Sequence, residues 1–262
     1  MACANSPHHM SNSAYYNERD PFAAQWLRNL IAAGHIAPGD VDERSIEDVH
    51  PDDIRHYTQC HFFAGIGVWS YALRRAGWPD DRPVWTGSCP CQPFSAAGKG
   101  AGFADERHLW PAFHHLIKEC RPAVIFGEQV ARAPEWLALV HSDLGALGYA
   151  MGAMPIEAAS AGAEGLRERF FFVADASSHG SDHPAIRRAV SQGQEPGRMP
   201  QPQRRFTQAI RCRDGKTRAC EPGFVPWVDG SPAVLGRLRA YGNAINAEVA
   251  RVFIEVAMEC MP

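Results

Sequence analysis

The sequence predicts an α/β fold, a mostly parallel β-sheet with helices on both faces. Short apolar runs of strand character alternate along the chain with longer stretches of helical period. That alternation builds parallel sheets whose crossovers are helices. The length of 262 residues suits one sizeable α/β domain with a smaller appendage.

Residues 1–13 are small and polar and read as a flexible tail. AYY (14–16) is a strand, and PFAAQWLRNLIAAG a helix opened by Pro21 and stopped at Gly34. HIAPGDVDERSIEDVHPDDI is rich in loop residues, with a short strand expected near Ser45–Ile46. TQCHFFAG reads as a buried strand that breaks into glycines, and VWSYALRRAG as the helix after it. PVWTGSCP is a strand, HLWPAFHHLIKEC a helix, PAVIFGEQV an apolar strand and APEWLALVHSDLGALG a helix. YAMGAMPI and RFFFVAD are strands, and NAEVARVFIEVAMEC is the last helix. Between Ala176 and about Ser231 the texture turns to Gly, Pro, Gln and Arg without a sustained period. From Asp175 to Arg239 there are eleven Lys or Arg against six Asp or Glu, which makes this a small, irregular, locally basic insert. The expected organisation is a tail (1–13), a main domain (14–175), the basic region (176–235) and a segment returning to the main domain (236–262).

Composition narrows the setting more than the activity. Hydrophobic residues make up 45%, charged residues 21%, and the net charge is −3. That balance neither requires nor excludes nucleic acid, because a basic face can sit inside a near-neutral total. No apolar run approaches the roughly 20 residues that cross a bilayer, and MACANSPHHMSNS lacks a secretory pattern. Eight irregularly spaced cysteines suit reduced thiols. The expectation is a cytoplasmic, soluble protein without a membrane partner.

GSCPCQPFS (87–95) confines Cys91 between Pro90 and Pro93 at the end of a strand. Open α/β sheets bind ligands there, and a cysteine acting as nucleophile needs a fixed approach. The plain alternative is a buried core cysteine. C-x-C has the wrong spacing for a zinc knuckle, and His179, His183, Cys212 and Cys220 fit no metal pattern, so no metal is expected.

Pro90-Cys91-Gln92 with Phe94-Ser95 resembles the catalytic loop of the DNA cytosine-5 methyltransferase family. Other stretches resemble further motifs of that family, in its order. Phe63-Ala64-Gly65-Ile66-Gly67 is similar to its S-adenosylmethionine loop, and GKGAGFADERHLW (98–110) to its glycine-rich loop. Glu128-Gln129-Val130 is similar to its Glu-Asn-Val motif and Arg167-Glu168-Arg169 to its Gln-x-Arg-x-Arg motif. Gly242-Asn243-Ala244-Ile245 is similar to its C-terminal Gly-Asn motif.

The resemblance implies a Rossmann-like SAM-dependent methyltransferase fold and methylation of C5 of a flipped cytosine in double-stranded DNA by a monomer. Cys91 would add to C6, Glu128 would serve N3, and Arg169 with Arg167 would bind the O2 edge. Taken singly, Glu128 reads equally well as a strand-end carboxylate, and the two arginines as a solvated pair. S-adenosyl-L-methionine is the implied cofactor, held by Phe63, Ala64, Gly65, Ile66, Gly67, Pro90 and Asn243. DNA contacts would come from Gln92, Ser95 and the insert's Arg187, Arg188, Arg204, Arg205, Arg211 and Arg213. Cys89 has no role in the family and reads as packing. Two positions depart from the pattern, Gly165 where the family has Gln and Gln129 where it has Asn.

In the family, ribose and adenine segments separate the cofactor loop from Pro-Cys-Gln, yet Gly67 and Pro90 here are close in sequence. AYYNERDPFAAQWLRNL, with Glu18 and Asp20, reads as the ribose segment placed first. ERSIEDVHPDDI, with Ser45-Ile46 where the family has Asp-Ile, reads as the adenine segment. The expectation is a circular permutation of the sheet, with residues 14–57 beside the strand that leads to Gly65. Two alternatives stay open: a related cytosine-C5 enzyme acting on RNA or using another one-carbon donor, and a non-catalytic DNA-binding descendant.

Overall fold

The computed structural model describes residues 13–90, 109–131, 133–157, 168–176, 208–211, 217–220 and 244–261. Two compact units emerge: residues 1–183 with 240–262, and residues 184–239. The main unit holds a seven-stranded sheet in the order β2-β1-β3-β4-β5-β7-β6. Its strands are β1 (Ala14–Asn17), β2 (Gly39–Asp42), β3 (Gln59–Phe62), β4 (Val84–Gly87), β5 (Val124–Val130), β6 (Ala150–Glu157) and β7 (Glu168–Asp175). β2, β1, β3, β4 and β5 pair in parallel, and β7 runs antiparallel to both β5 and β6. This is the mostly parallel α/β architecture the sequence predicts.

Helices cover both faces. On one face lie α1 (Pro21–Ala32), α3 (Val68–Arg75) and α6 (Ala247–Cys260); on the other lie α2 (Pro51–Ile54), α4 (Trp110–Cys120) and α5 (Pro134–Ala146). Sequence capping signals set several boundaries. The Asp20 carboxylate accepts from the N–H of Phe22 (2.9 Å) and Ala23 (3.1 Å), so it caps α1 while Pro21 fills the first turn. Asn246 caps α6 in the same way, at 3.0 Å to both Glu248 N and Val249 N. Trp69 of α3, Phe126 of β5, Phe171 of β7 and Phe253 of α6 pack into one aromatic cluster.

Strand register sets the architecture beneath the C-terminal ends. Asn17, Phe62, Gly87, Gly127 and Phe172 pair in one continuous row across β1, β3, β4, β5 and β7. The two central glycines have a packing reason. A Cβ on Gly87 would lie 2.4 Å from Phe113 Cε1, and one on Gly127 2.1 Å from Phe172 Cζ. Rings therefore lie on the glycines where side chains would stand.

A parallel row crosses the α1/α3 face. Tyr16, His61, Thr86 and Phe126 are register partners. Tyr16 stacks on His61 at 4.9 Å between ring centroids, and His61 Nδ1 meets Thr86 Oγ1 at 2.9 Å. The Tyr16 hydroxyl lies 2.7 Å from the Ala37 carbonyl and 2.9 Å from Ser70 Oγ. Ser70 in turn accepts from Ala37 N–H at 3.1 Å. This buried polar knot ties α3 to β1 and to the entry of β2.

Two expectations need correction. The strand expected at Ser45–Ile46 lies at Gly39–Asp42, and residues Ile46–Asp48 form a 3-10 turn. Pairing decides this, because Gly39 lies so close to Ala14 that a Cβ would sit 1.8 Å from the Ala14 oxygen. The insert, expected to be irregular, contains an antiparallel hairpin of β8 (Gln208–Arg211) and β9 (Thr217–Cys220). Its signal in the sequence was the Asp214-Gly215 pair between TQAIR and TRAC. Among the described residues, no helix is long and apolar enough to cross a membrane.

Two measurements test this packing. Gly127→Ala forces Phe172 or the sheet to move and should cost roughly 1–3 kcal/mol in urea unfolding; an unchanged midpoint would refute the packing account. Burial holds His61 neutral and lowers its pKa from 6.5 to about 3, against a small raising effect of Asp80. The unfolded chain binds the extra proton, so stability should fall as pH drops from about 6.5 toward 3, by at most about 1.4 kcal/mol per pH unit. The slope difference between wild type and His61→Gln measures this contribution.

Candidate active site

The residues just past the in-register row build the site. Glu18 follows β1, Phe63 follows β3 and Ser88 follows β4, while Glu128 is the next residue of β5 after Gly127. Four segments distant in sequence thus open on one edge of the sheet, at the reversal of strand order between β1 and β3, where α/β folds bind ligands.

The glycine loop between β3 and α3 alternates into the left-handed region three times within five residues. Phe63 has φ +52°, Gly65 +55° and Gly67 +79°. For Phe63 this conformation is uncommon and is held by surrounding contacts, among them an edge-on packing against Phe113 at 6.1 Å. Gly67 begins α3 and is tight: a Cβ there would sit 3.0 Å from Leu27 Cδ2 and 3.2 Å from Ile36 Cδ1. Gly65 is open, with no atom of the described residues within 4 Å of where a Cβ would lie.

β1 holds this loop. Ala64 N–H donates to the Asn17 carbonyl at 3.0 Å and Gly65 N–H to Glu18 Oε2 at 2.7 Å. Glu18 Oε1 accepts from Asp20 N–H at 2.8 Å. Burial raises the Glu18 pKa, against the lowering effect of these two N–H donors. Residues 14–18 therefore lie against the glycine loop. Of the expected adenine pair, Ser45 is half-buried and its hydroxyl donates to Glu47 at 3.2 Å, while the Ile46 side chain is buried in the core. Asp20, read from sequence as part of the ribose segment, serves as a helix cap.

The β4 exit is tied to the same loop. Trp69, in the first turn of α3, donates its indole N–H to Ser88 Oγ at 3.0 Å. Cys89 is buried in the core and burial pushes its thiol pKa far up, so it is an inert packing residue. Pro90 follows, partly exposed. Cys91, Gln92 and Ser95 lie outside the described residues, as do Arg167, Asn243, Arg187, Arg188, Arg204, Arg205 and Arg213. Arg211 is the last residue of β8.

At the far side, Arg169 Nε donates to Glu128 Oε1 at 2.7 Å. Glu128 pairs with Phe171 and Val130 with Arg169, so the ion pair is the diagonal of an antiparallel ladder on one face. Glu128 is 7% exposed. Gln129 points to the opposite face; its Oε1 accepts from Val130 N–H at 2.9 Å, and its buried Nε2 has no hydrogen-bond partner among the described residues. The structure thus joins Glu128 to Arg169 and Glu18 to the glycine loop. Sequence reading missed Trp69, Ser88 and Asn17; the hint for Asn17 was an amide ending an otherwise apolar strand, AYYN.

A cavity of about 650 Å³ opens elsewhere, along β2, lined by Tyr15, Asp40, Asp42, Arg44 and Tyr57 among others and by no residue of the glycine loop. Its carboxylates are already matched: Tyr57 donates to Asp40 at 2.7 Å and Tyr15 to Asp42 at 2.8 Å.

The sequence pattern of the C-5 cytosine-specific DNA methylases matches residues 78–217, more than half of the chain. The chain belongs to that family. It is 37% identical over 100 residues to the type II methyltransferase M.NgoMIV of Neisseria gonorrhoeae, covering 36% of this chain and 32% of that protein. It is 31% identical over 161 residues to the type II methyltransferase M.HaeII of Haemophilus aegyptius, covering 59% and 43%. The matches thus span less than half the length of these two relatives. Among solved structures, the Dnmt2 methyltransferase of S. pombe aligns over 64% of this chain and 51% of that one, at 14% identity and a TM-score of 0.37.

The Glu128–Arg169 pair generates a direct test. Arg169→Met removes the cation that lies 2.7 Å from a buried carboxylate, at a cost of roughly 2–4 kcal/mol. Glu128→Gln combined with Arg169→Met should cost less than the sum of the single changes, by about 1–2 kcal/mol in a urea-denaturation cycle. Strict additivity would deny that the pair is coupled.

Proposed function

We propose that this methylase-family protein transfers a methyl group from S-adenosyl-L-methionine to C5 of cytosine in double-stranded DNA. One observation carries the reading: the glycine loop with Glu18, the strand leading to Cys91, and the Glu128–Arg169 pair all open on one edge of one sheet.

The residues at the glycine loop suit the cofactor. Gly65 leaves its Cβ position open beside the Glu18 carboxylate, and a carboxylate at a strand end suits ribose hydroxyls. Phe63, Ala64, Gly65, Ile66 and Gly67 would hold it with Glu18, joined by Ser45 and Ile46 on the adenine side and by Pro90 and Asn243. Bound there, S-adenosylmethionine supplies an electrophilic methyl group.

C5 of cytosine is too weak a nucleophile to take a methyl group unaided. The Cys91 thiolate adds to C6, and the electron pair displaced from the 5,6 double bond makes C5 nucleophilic. Glu128 holds a proton at N3, so charge does not accumulate on the ring. Arg169, which also fixes the Glu128 carboxyl, binds the O2 edge together with Arg167. After methylation, loss of the C5 proton expels Cys91 and restores the double bond. The base reaches Cys91 by leaving the duplex. Gln92, Ser95 and the insert's Arg187, Arg188, Arg204, Arg205, Arg211 and Arg213 contact DNA.

The same reading includes a circular permutation, in which residues 14–57 carry the ribose and adenine segments ahead of the glycine loop. Two facts support it. β1 and β2 lie on the outer side of β3 although they precede it, and the family pattern begins only at residue 78, beyond the glycine loop.

The test is incubation of unmodified DNA with methyl-labelled S-adenosylmethionine, followed by digestion to nucleosides. Label is expected in 5-methyldeoxycytidine with wild type, and a loss of at least about 1,000-fold with Cys91→Ala. Label at another position of the base, or equal labelling by the variant, would overturn the mechanism.

A further inference from the structure

The glycine loop and the exit of β2 are both bonded to one dipeptide, Asn17-Glu18. Asn17 ends β1 and is only 3% exposed. A buried amide must be hydrogen-bonded or it destabilises the fold, and this one is bonded to a single neighbouring segment. Its Nδ2 donates to the Arg44 carbonyl at 2.9 Å and reaches the Asp42 carbonyl at 3.5 Å. Its own carbonyl accepts from Ala64 N–H at 3.0 Å. The next residue repeats the pattern: Glu18 N–H donates to the Asp42 carbonyl at 3.0 Å, and the Glu18 carboxylate accepts from Gly65 N–H at 2.7 Å.

The segment so gripped is the link from β2 into the Ser45-Ile46 turn. It is fixed from three sides. Below, Ile46 inserts its side chain into the core at 3% exposure. Outside, the Arg44 guanidinium bonds the Asp42 carboxylate, with its closest contact at 2.7 Å, and Asp53 at 2.9 Å. On the inner side only the Asn17 amide reaches the Arg44 carbonyl among the described hydrogen bonds. The Arg44 carbonyl belongs to the peptide that enters Ser45, so the Asn17 contact sets where the Ser45-Ile46 backbone stands relative to Glu18 and Gly65.

We propose that Asn17 is a positioning residue for nucleobase selection: through the Arg44 carbonyl it holds the Ser45-Ile46 turn at the distance from the glycine loop that reads the adenine edge of the cofactor. The inference rests on the cofactor reading above and adds to it a residue that touches no cofactor atom. The physical reason is one of geometry. Hydrogen-bond recognition of a base edge tolerates errors of about half an ångström. Among the described strands β2 is at the edge of the sheet, so its exit has a strand neighbour on one side alone. Aspartate at position 17 would keep the shape but could not donate to two carbonyls.

Binding of S-adenosylhomocysteine and of its 6-oxo analogue, S-inosylhomocysteine, to wild type and Asn17→Ala by titration calorimetry tests this. Wild type should prefer the adenine compound. Asn17→Ala should weaken S-adenosylhomocysteine about tenfold and S-inosylhomocysteine far less, so the preference collapses, while affinity for a DNA duplex stays unchanged. If Asn17→Ala does not fold, Asn17→Ser carries the same comparison. Equal weakening of both ligands, with the preference intact, would overturn the inference alone and leave Asn17 a purely structural residue. Failure of wild type to bind S-adenosylhomocysteine would overturn the cofactor reading and this inference with it.

Discussion

The alignment of five neighbouring strands in one register row is the constraint on which the site depends. Hydrogen-bond ladders fix Asn17, Phe62, Gly87, Gly127 and Phe172 in one row, and Glu18, Phe63, Ser88 and Glu128 each come one residue later. A one-residue slip of any strand would move its functional side chain to the other face. Two glycines and three rings guard that register. Gly87 and Gly127 have no Cβ, Phe113 and Phe172 occupy the vacated space, and Phe62 packs on Phe113 at 4.9 Å. A shifted register would place a side chain under a ring.

Above this floor, polar contacts join the segments that meet at the site. The glycine loop is held to β1 by two N–H donors, α3 to the β4 exit by the Trp69 indole, and β5 to β7 by the Glu128–Arg169 pair. Buried hydrogen bonds each contribute modestly to net stability, but their absence leaves a desolvated group without a partner. Such contacts therefore select one arrangement more than they add to its total stability. The knot of Tyr16, Ser70 and Ala37 does the same beneath α3.

Chain order matters little to this assembly. β1 and β2 come first in sequence yet extend the sheet outward from β3, and the connections from β1 to β4 run through α1, α2 and α3 in turn. A parallel sheet needs neighbours and crossovers, not a particular starting strand. The motifs consequently meet in space in an arrangement that their linear spacing does not display.

By itself, the sequence determined most of the elements and the residue types that gather at their ends. Period, Pro21 with Asp20, Asn246, and the glycines after β3 set helix and strand positions from local forces, because capping and periodicity act within a few residues. It also marked Cys91, Glu128, Arg169, Glu18 and the glycine loop by residue type. Only the tertiary structure decided what depends on pairing between distant segments. It set β2 at Gly39–Asp42 rather than at Ser45–Ile46, because Gly39 packs directly on Ala14. It made Asp20 a cap and Cys89 core, joined Glu128 to Arg169, and gave the Asn17 amide its partner at Arg44. Register is a property of two strands at once, and no local pattern in either one specifies it.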